Sequence, residues 1–118
     1  MASVNQNITL YKHRYNVARV SVQGVTNIAG WAITFIMTDD NTQYGNILLQ
    51  KDINVIGGEG GIRLDTATAF FIDFEEGDLT EIAQANYYFE IIMEDTEGKP
   101  YQGTVGSVNL RDVALTDD

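Results

Sequence analysis

Apolar and polar residues alternate with period two along most of the chain, the pattern of strands that place one face on a core. Ala18, Val20 and Val22 alternate with Val17, Arg19 and Ser21, and Gly24 ends the run. Trp31, Ile33, Phe35 and Met37 form the next set, with Ala32, Thr34 and Ile36 opposite, before a turn signal at Asp39-Asp40-Asn41. Shorter apolar pieces at Ile47–Leu49 and Ile53–Ile56 read as edge strands, with Lys51 and Asp52 between them. Gly57-Gly58-Glu59-Gly60-Gly61 cannot hold regular structure cheaply and predicts a mobile loop. Phe70, Ile72 and Phe74 supply a further strand, closed by Glu75-Glu76-Gly77. Tyr87, Phe89, Ile91 and Met93 supply another, alternating with Tyr88, Glu90, Ile92 and Glu94. The stretch from Asp95 to Pro100 reads as a hairpin connection, Tyr101 to Val108 as the returning strand, and Asn109 to Asp118 as a frayed tail.

One helical signal interrupts this pattern. Asp78-Leu79-Thr80-Glu81 has the layout of a capping box, and Asn86 follows too soon for more than about two turns. Short strands at turn-separated intervals with one short helix predict a single all-β domain over residues 1–118. The expected architecture is an immunoglobulin-like antiparallel β-sandwich of about seven strands, with a jelly roll or a barrel as the alternatives. Trp31 and Tyr87 each open a strand, as the inward tryptophan and the tyrosine corner of such sandwiches do. Trp31, Phe35, Phe70, Ile72, Tyr87, Phe89 and Ile91 are the expected core.

Charge then removes several partners. Seventeen Asp and Glu against seven Lys and Arg leave a net charge of −10. Such a surface repels phosphate, so neither nucleic acid nor an anionic membrane is expected as a partner. Cysteine is absent, which excludes disulfides, thiol catalysis and cysteine zinc sites. The opening Met1-Ala2-Ser3-Val4-Asn5-Gln6-Asn7 has neither the basic start nor the apolar stretch of a signal peptide, so synthesis and folding in a cytoplasm are expected. The most apolar window, Trp31 to Met37, is far shorter than the ~18 residues of a membrane span.

The chemistry-bearing residues point away from catalysis. His13 is the only histidine, and it stands between Lys12 and Arg14 with no flanking acid to orient it as a base. Asp73, Glu75, Glu76, Asp78, Glu90, Glu94 and Asp95 offer carboxylates, but nothing in their spacing pairs two of them across a sugar. Asp39 to Gly45 fails the calcium-loop pattern, because Tyr44 stands at its sixth position and Gln50 at its twelfth. The glycine cluster lacks phosphate-loop spacing. We therefore expect no enzyme activity, no cofactor and no metal site. Tyr11, Lys12, His13, Arg14 and Tyr15 form the candidate partner-binding patch, since cations flanked by tyrosines on an acidic body would orient it toward an acidic neighbour. The alternative function is a small carbohydrate-binding module using exposed tyrosines such as Tyr44 and Tyr101. Calcium held by Asp95, Glu97, Asp117 and Asp118 could assist it.

Several stretches resemble the N-terminal domain family of phage baseplate upper proteins. They are Ile8-Thr9-Leu10-Tyr11-Lys12, Trp31-Ala32-Ile33-Thr34-Phe35-Ile36-Met37, and the block from Leu79 to Gly106. Within that block Asn86-Tyr87-Tyr88-Phe89-Glu90-Ile91-Ile92-Met93-Glu94-Asp95 is the most telling, with Glu97-Gly98 and Thr104-Val105-Gly106-Ser107-Val108 after it. The family usually has Pro-Gly before its tyrosine strand, where this chain has Ala85-Asn86. The resemblance implies a structural subunit of a phage or prophage tail or baseplate. It would be made in the host bacterial cytoplasm, assembled into the virion with other phage structural proteins, and present as a homo-oligomer.

Overall fold

The computed structural model describes residues 5–22, 24–39, 46–53, 61–101 and 105–112. Nine strands lie among them: β1 (Asn5–Tyr11), β2 (Asn16–Ser21), β3 (Ala32–Thr38), β4 (Ile47–Ile53), β5 (Gly61–Thr66), β6 (Ala69–Phe74), β7 (Ala85–Glu94), β8 (Pro100–Tyr101) and β9 (Val105–Arg111). They form one sheet in the order β1-β9-β7-β3-β4-β5-β6-β2, with β8 paired to the end of β7. The pairs β1–β9 and β4–β5 are parallel and the remainder antiparallel. The sheet curls until it is nearly a barrel, which brings its two terminal strands, β1 and β2, side by side at the turn that joins them.

The protein is thus all-β, but its described residues form one sheet where two packed sheets were expected. Curling achieves the same burial: Phe35 of β3 meets Phe74 of β6 across the interior, although β4 and β5 lie between their strands in the sheet. The expected helix is a run of turns. Asp78 directs its carboxylate backward to the Glu75 N–H (2.7 Å) and to Lys51, and the Ile82 N–H reaches only the Leu79 carbonyl (3.1 Å). Ile47–Leu49 and Ile53 belong to one strand, β4, which lies inside the sheet between β3 and β5; Asn54 to Ile56 fall outside the described residues, as do Gly57 to Gly60. The sheet's edges are β1 and β2 instead. The expected fraying after Asn109 does not begin there, because Leu110 is fully buried in β9, which runs to Arg111.

Trp31, Phe35, Phe70, Ile72, Phe89 and Ile91 are buried, and Tyr87 is half-buried against them. Leu10, Ile28, Leu79, Val108 and Leu110 are buried with them, as are Ile33, Met37, Phe74 and Met93 of the same alternating strands. Ile28 is held over the barrel by its N–H bond to the Ala67 carbonyl (2.8 Å). Gly98 closes the β7–β8 turn with φ of 81°, a left-handed conformation that a side chain would strain. The Asp95 carboxylate holds the same turn by accepting the Glu97 and Lys99 N–H groups, each at 2.9 Å.

Candidate interaction surface

The β1–β2 turn is braced from both sides. The Lys12 N–H continues the β1–β9 ladder by donating to the Arg111 carbonyl (2.9 Å). His13 then reverses the chain with φ of 64°, a region histidine enters more readily than most residues. The Asn16 amide closes the turn: its Oδ1 accepts the Tyr11 N–H (3.1 Å), and its Nδ2 donates to the carbonyls of Tyr11 (2.9 Å) and Arg14 (3.1 Å). A side chain therefore replaces the first rung of a ladder between β1 and β2.

A polar network continues from the turn onto the outer face of β2, β6 and β5. The Tyr15 hydroxyl donates to Asp73 (2.6 Å), and Arg63 grips the same carboxylate through Nε (2.7 Å) and Nη2 (3.0 Å). The Arg63 guanidinium lies 4.5 Å from the centroid of the Phe71 ring, and Arg19 pairs with Asp65 beside it (2.7 Å). The bonds from Arg63 hold the Asp73 carboxyl below its ordinary value, against the opposing effect of partial burial. The hydrogen bond to Asp73 in turn raises the Tyr15 phenol above 10.0.

This network has a pH signature. Asp73 binds protons less readily folded than unfolded, so its stabilisation is present above the unfolded value of about 3.9 and is lost as pH falls through the lower folded value. Tyr15 has the opposite sign, with its contribution present below pH ~10 and lost as pH rises through the raised value. Replacing Arg63 by Gln is expected to move the Asp73 midpoint upward, as read by carboxyl NMR titration. An unmoved midpoint would exclude Arg63 as the cause.

Around the turn the surface is both apolar and cationic. Tyr11, Tyr15 and Val17 are 42 %, 56 % and 44 % exposed. Among the described residues Arg19, Lys51 and Arg63 are ion-paired, whereas Lys12, Arg14, Lys99 and Arg111 are not. Lys12, Arg14 and Arg111 cluster, because Arg111 is in register with Tyr11 at the mouth of the turn. His13 Nε2 lies 3.8 Å from the Asp112 carboxylate. The five candidate residues of the turn thus share one surface; Arg111, Arg63 and Asp73 join it through sheet pairing that no local pattern encodes.

The other candidate groups are dispersed. Asp78 is tied to Lys51, Asp95 to its own turn, and Asp39 to Asn46 through backbone and side chain (3.0 and 3.2 Å). Glu90 and Glu94 are exposed on β7. Tyr101 is 40 % exposed and packs one side of its ring on buried Trp31, with centroids 4.7 Å apart. Tyr44, Asp117 and Asp118 lie outside the described residues. Compared with known proteins, the chain matches no family model and no curated sequence.

Proposed function

We propose that the chain is a non-catalytic assembly module of a phage or prophage particle, seated in the tail or baseplate and bound to other virion proteins through its sheet faces and edges. The observation that carries this reading is the braced β1–β2 turn, which displays Tyr11, Tyr15 and Val17 beside Lys12 and Arg14, cations without an ion pair among the described residues. Aromatic and cationic side chains on a rigid support lose little entropy on docking, and they suit protein contacts better than small-ligand chemistry. A second exposed set, Tyr88, Ile92 and Val105 on the outer face of β7 and β9, offers a contact for further copies of the same chain. The resemblance to the baseplate family supports the particle as the place of assembly.

Mass spectrometry of purified particles from an induced host tests this reading, with the chain expected among the virion proteins. The variant carrying Arg14→Ala and Tyr15→Ala, checked for folding by thermal melt, is expected to enter particles at a strongly reduced level. Incorporation at the wild-type level would remove the turn from the docking surface.

A further inference from the structure

The two edges of the sheet face one another across a gap, and the hydrogen-bond parity shows what they present there. The Val22 N–H donates to the Thr68 carbonyl (2.8 Å), which continues the β2–β6 ladder. Residues of one strand alternate between its two neighbours, so Ala18 and Val20 bond toward β6, and Val17, Arg19 and Ser21 turn their N–H and C=O groups the other way. The Lys12 to Arg111 bond sets the same parity on β1, so Asn7, Thr9 and Tyr11 turn away from β9. Tyr11 is met by the Asn16 side chain. The backbone groups of Asn7, Thr9, Val17, Arg19 and Ser21 face no partner strand among the described residues.

Natural edge strands are usually guarded by inward charges, proline or bulges. Here β1 carries no charged residue, β2 carries only Arg19, and neither contains proline. Arg19 is moreover neutralised by Asp65 on the outer face. The register of both strands with their neighbours is unbroken. Among the described residues the only guard is the Asn16 amide, and it occupies the closed end of the gap. Beside that end stand Lys12, Arg14 and Arg111, cations without an ion pair among the described residues on a chain of net charge −10.

We propose that the gap between β1 and β2 receives an extended acidic segment of a partner protein, which adds as a strand against β2. This deepens the assembly-module reading and rests on it. Main-chain bonds to Val17, Arg19 and Ser21 hold the segment, the exposed Val17 and Tyr15 side chains pack against it, and the cations at the closed end select its carboxylates. A second copy's β1 or β2 is a poorer occupant of this gap, because neither strand carries a carboxylate for those cations to select.

The test uses the full chain and two fluorescein-labelled peptides about ten residues long, one alternating valine with glutamate and the other valine with lysine. Fluorescence anisotropy is expected to show saturable binding of the glutamate peptide only, with amide shifts at Val17, Arg19 and Ser21 in NMR spectra. Val17→Pro removes an outward N–H without touching the β6 ladder and should weaken binding at least about tenfold. The variant with Lys12→Glu and Arg14→Glu, whose changes are at surface turn positions, should do the same if Val17→Pro fails to fold. Equal binding of both peptides, or undiminished binding to folded Val17→Pro, would each overturn the proposal. Absence of any peptide binding overturns it as well, while particle mass spectrometry separately decides the assembly reading.

Discussion

Replacing Phe35 by alanine is expected to cost about 3–5 kcal/mol of stability, a large share of the ~5–15 kcal/mol that holds a domain of this size. Phe35 is fully buried. Its ring stacks on Phe89 of β7 (5.5 Å between centroids) and meets Phe74 of β6 edge-on (5.4 Å, 79° between planes). The first contact joins neighbours within the sheet, since β3 pairs directly with β7. The second spans the interior and opposes uncurling of the sheet. Truncation therefore removes transfer free energy, leaves a cavity, and loosens the contact between opposite walls. Phe71→Ala, on the outer face beneath Arg63, is the control and should cost less than half as much. Urea denaturation of both variants provides the comparison. A loss below about 1 kcal/mol for Phe35→Ala would mean that β3 and β6 share no common core.

The strands that were legible in sequence are those with strict alternation on an apolar face. Trp31 to Met37, Phe70 to Phe74 and Tyr87 to Met93 each put every second residue inside, and so period two located them. β4 was read as two pieces because Lys51 occupies an inward position, in register with Phe35, where the pattern demands an apolar residue. β1 is absent from the strands predicted by periodicity, because its partner, β9, lies at the far end of the sequence and no local signal encodes a parallel pairing over that distance. The helix expectation failed on tertiary competition. Asp78, the candidate cap, has its carboxylate taken by Lys51 of β4 and the Glu75 N–H.

The candidate surface was partly legible for the same reason. Lys12, His13 and Arg14 are adjacent in sequence, so their clustering required no fold. Tyr15 and Asp73 are 58 positions apart, and only the β2–β6 pairing brings them together. Arg63 reaches Asp73 through the β5–β6 pairing, and its sequence neighbours Ile62 and Leu64 mark it only as an outward strand residue. The open edge of β2 depends on which strands end the sheet, which is a property of the whole topology and not of any segment.

Asp78→Ala is expected to cost about 2–4 kcal/mol, whereas Lys51→Met should change stability by less than about 1 kcal/mol. The asymmetry follows from where the charges sit. Lys51 points into the barrel beside Phe35 and Phe74, with its side chain only 11 % exposed and its ammonium 6.0 Å from the Phe74 ring centroid. Asp78 is 25 % exposed and accepts the Glu75 N–H in addition to the ammonium. Removing the carboxylate leaves a largely desolvated cation without a counter-charge and releases the turn after β6 at the same time. Removing the cation instead leaves Asp78 with its backbone donor and access to water, and the methionine chain fills the space of the lysine stem. The close approach of Gly61 matters here too, because a side chain at that position would meet the Lys51 Cδ at 2.6 Å. Chemical denaturation of the two single variants and the double variant yields the coupling between them. Equal, small losses from both single changes would place the pair in solvent and deny that β4 turns Lys51 inward.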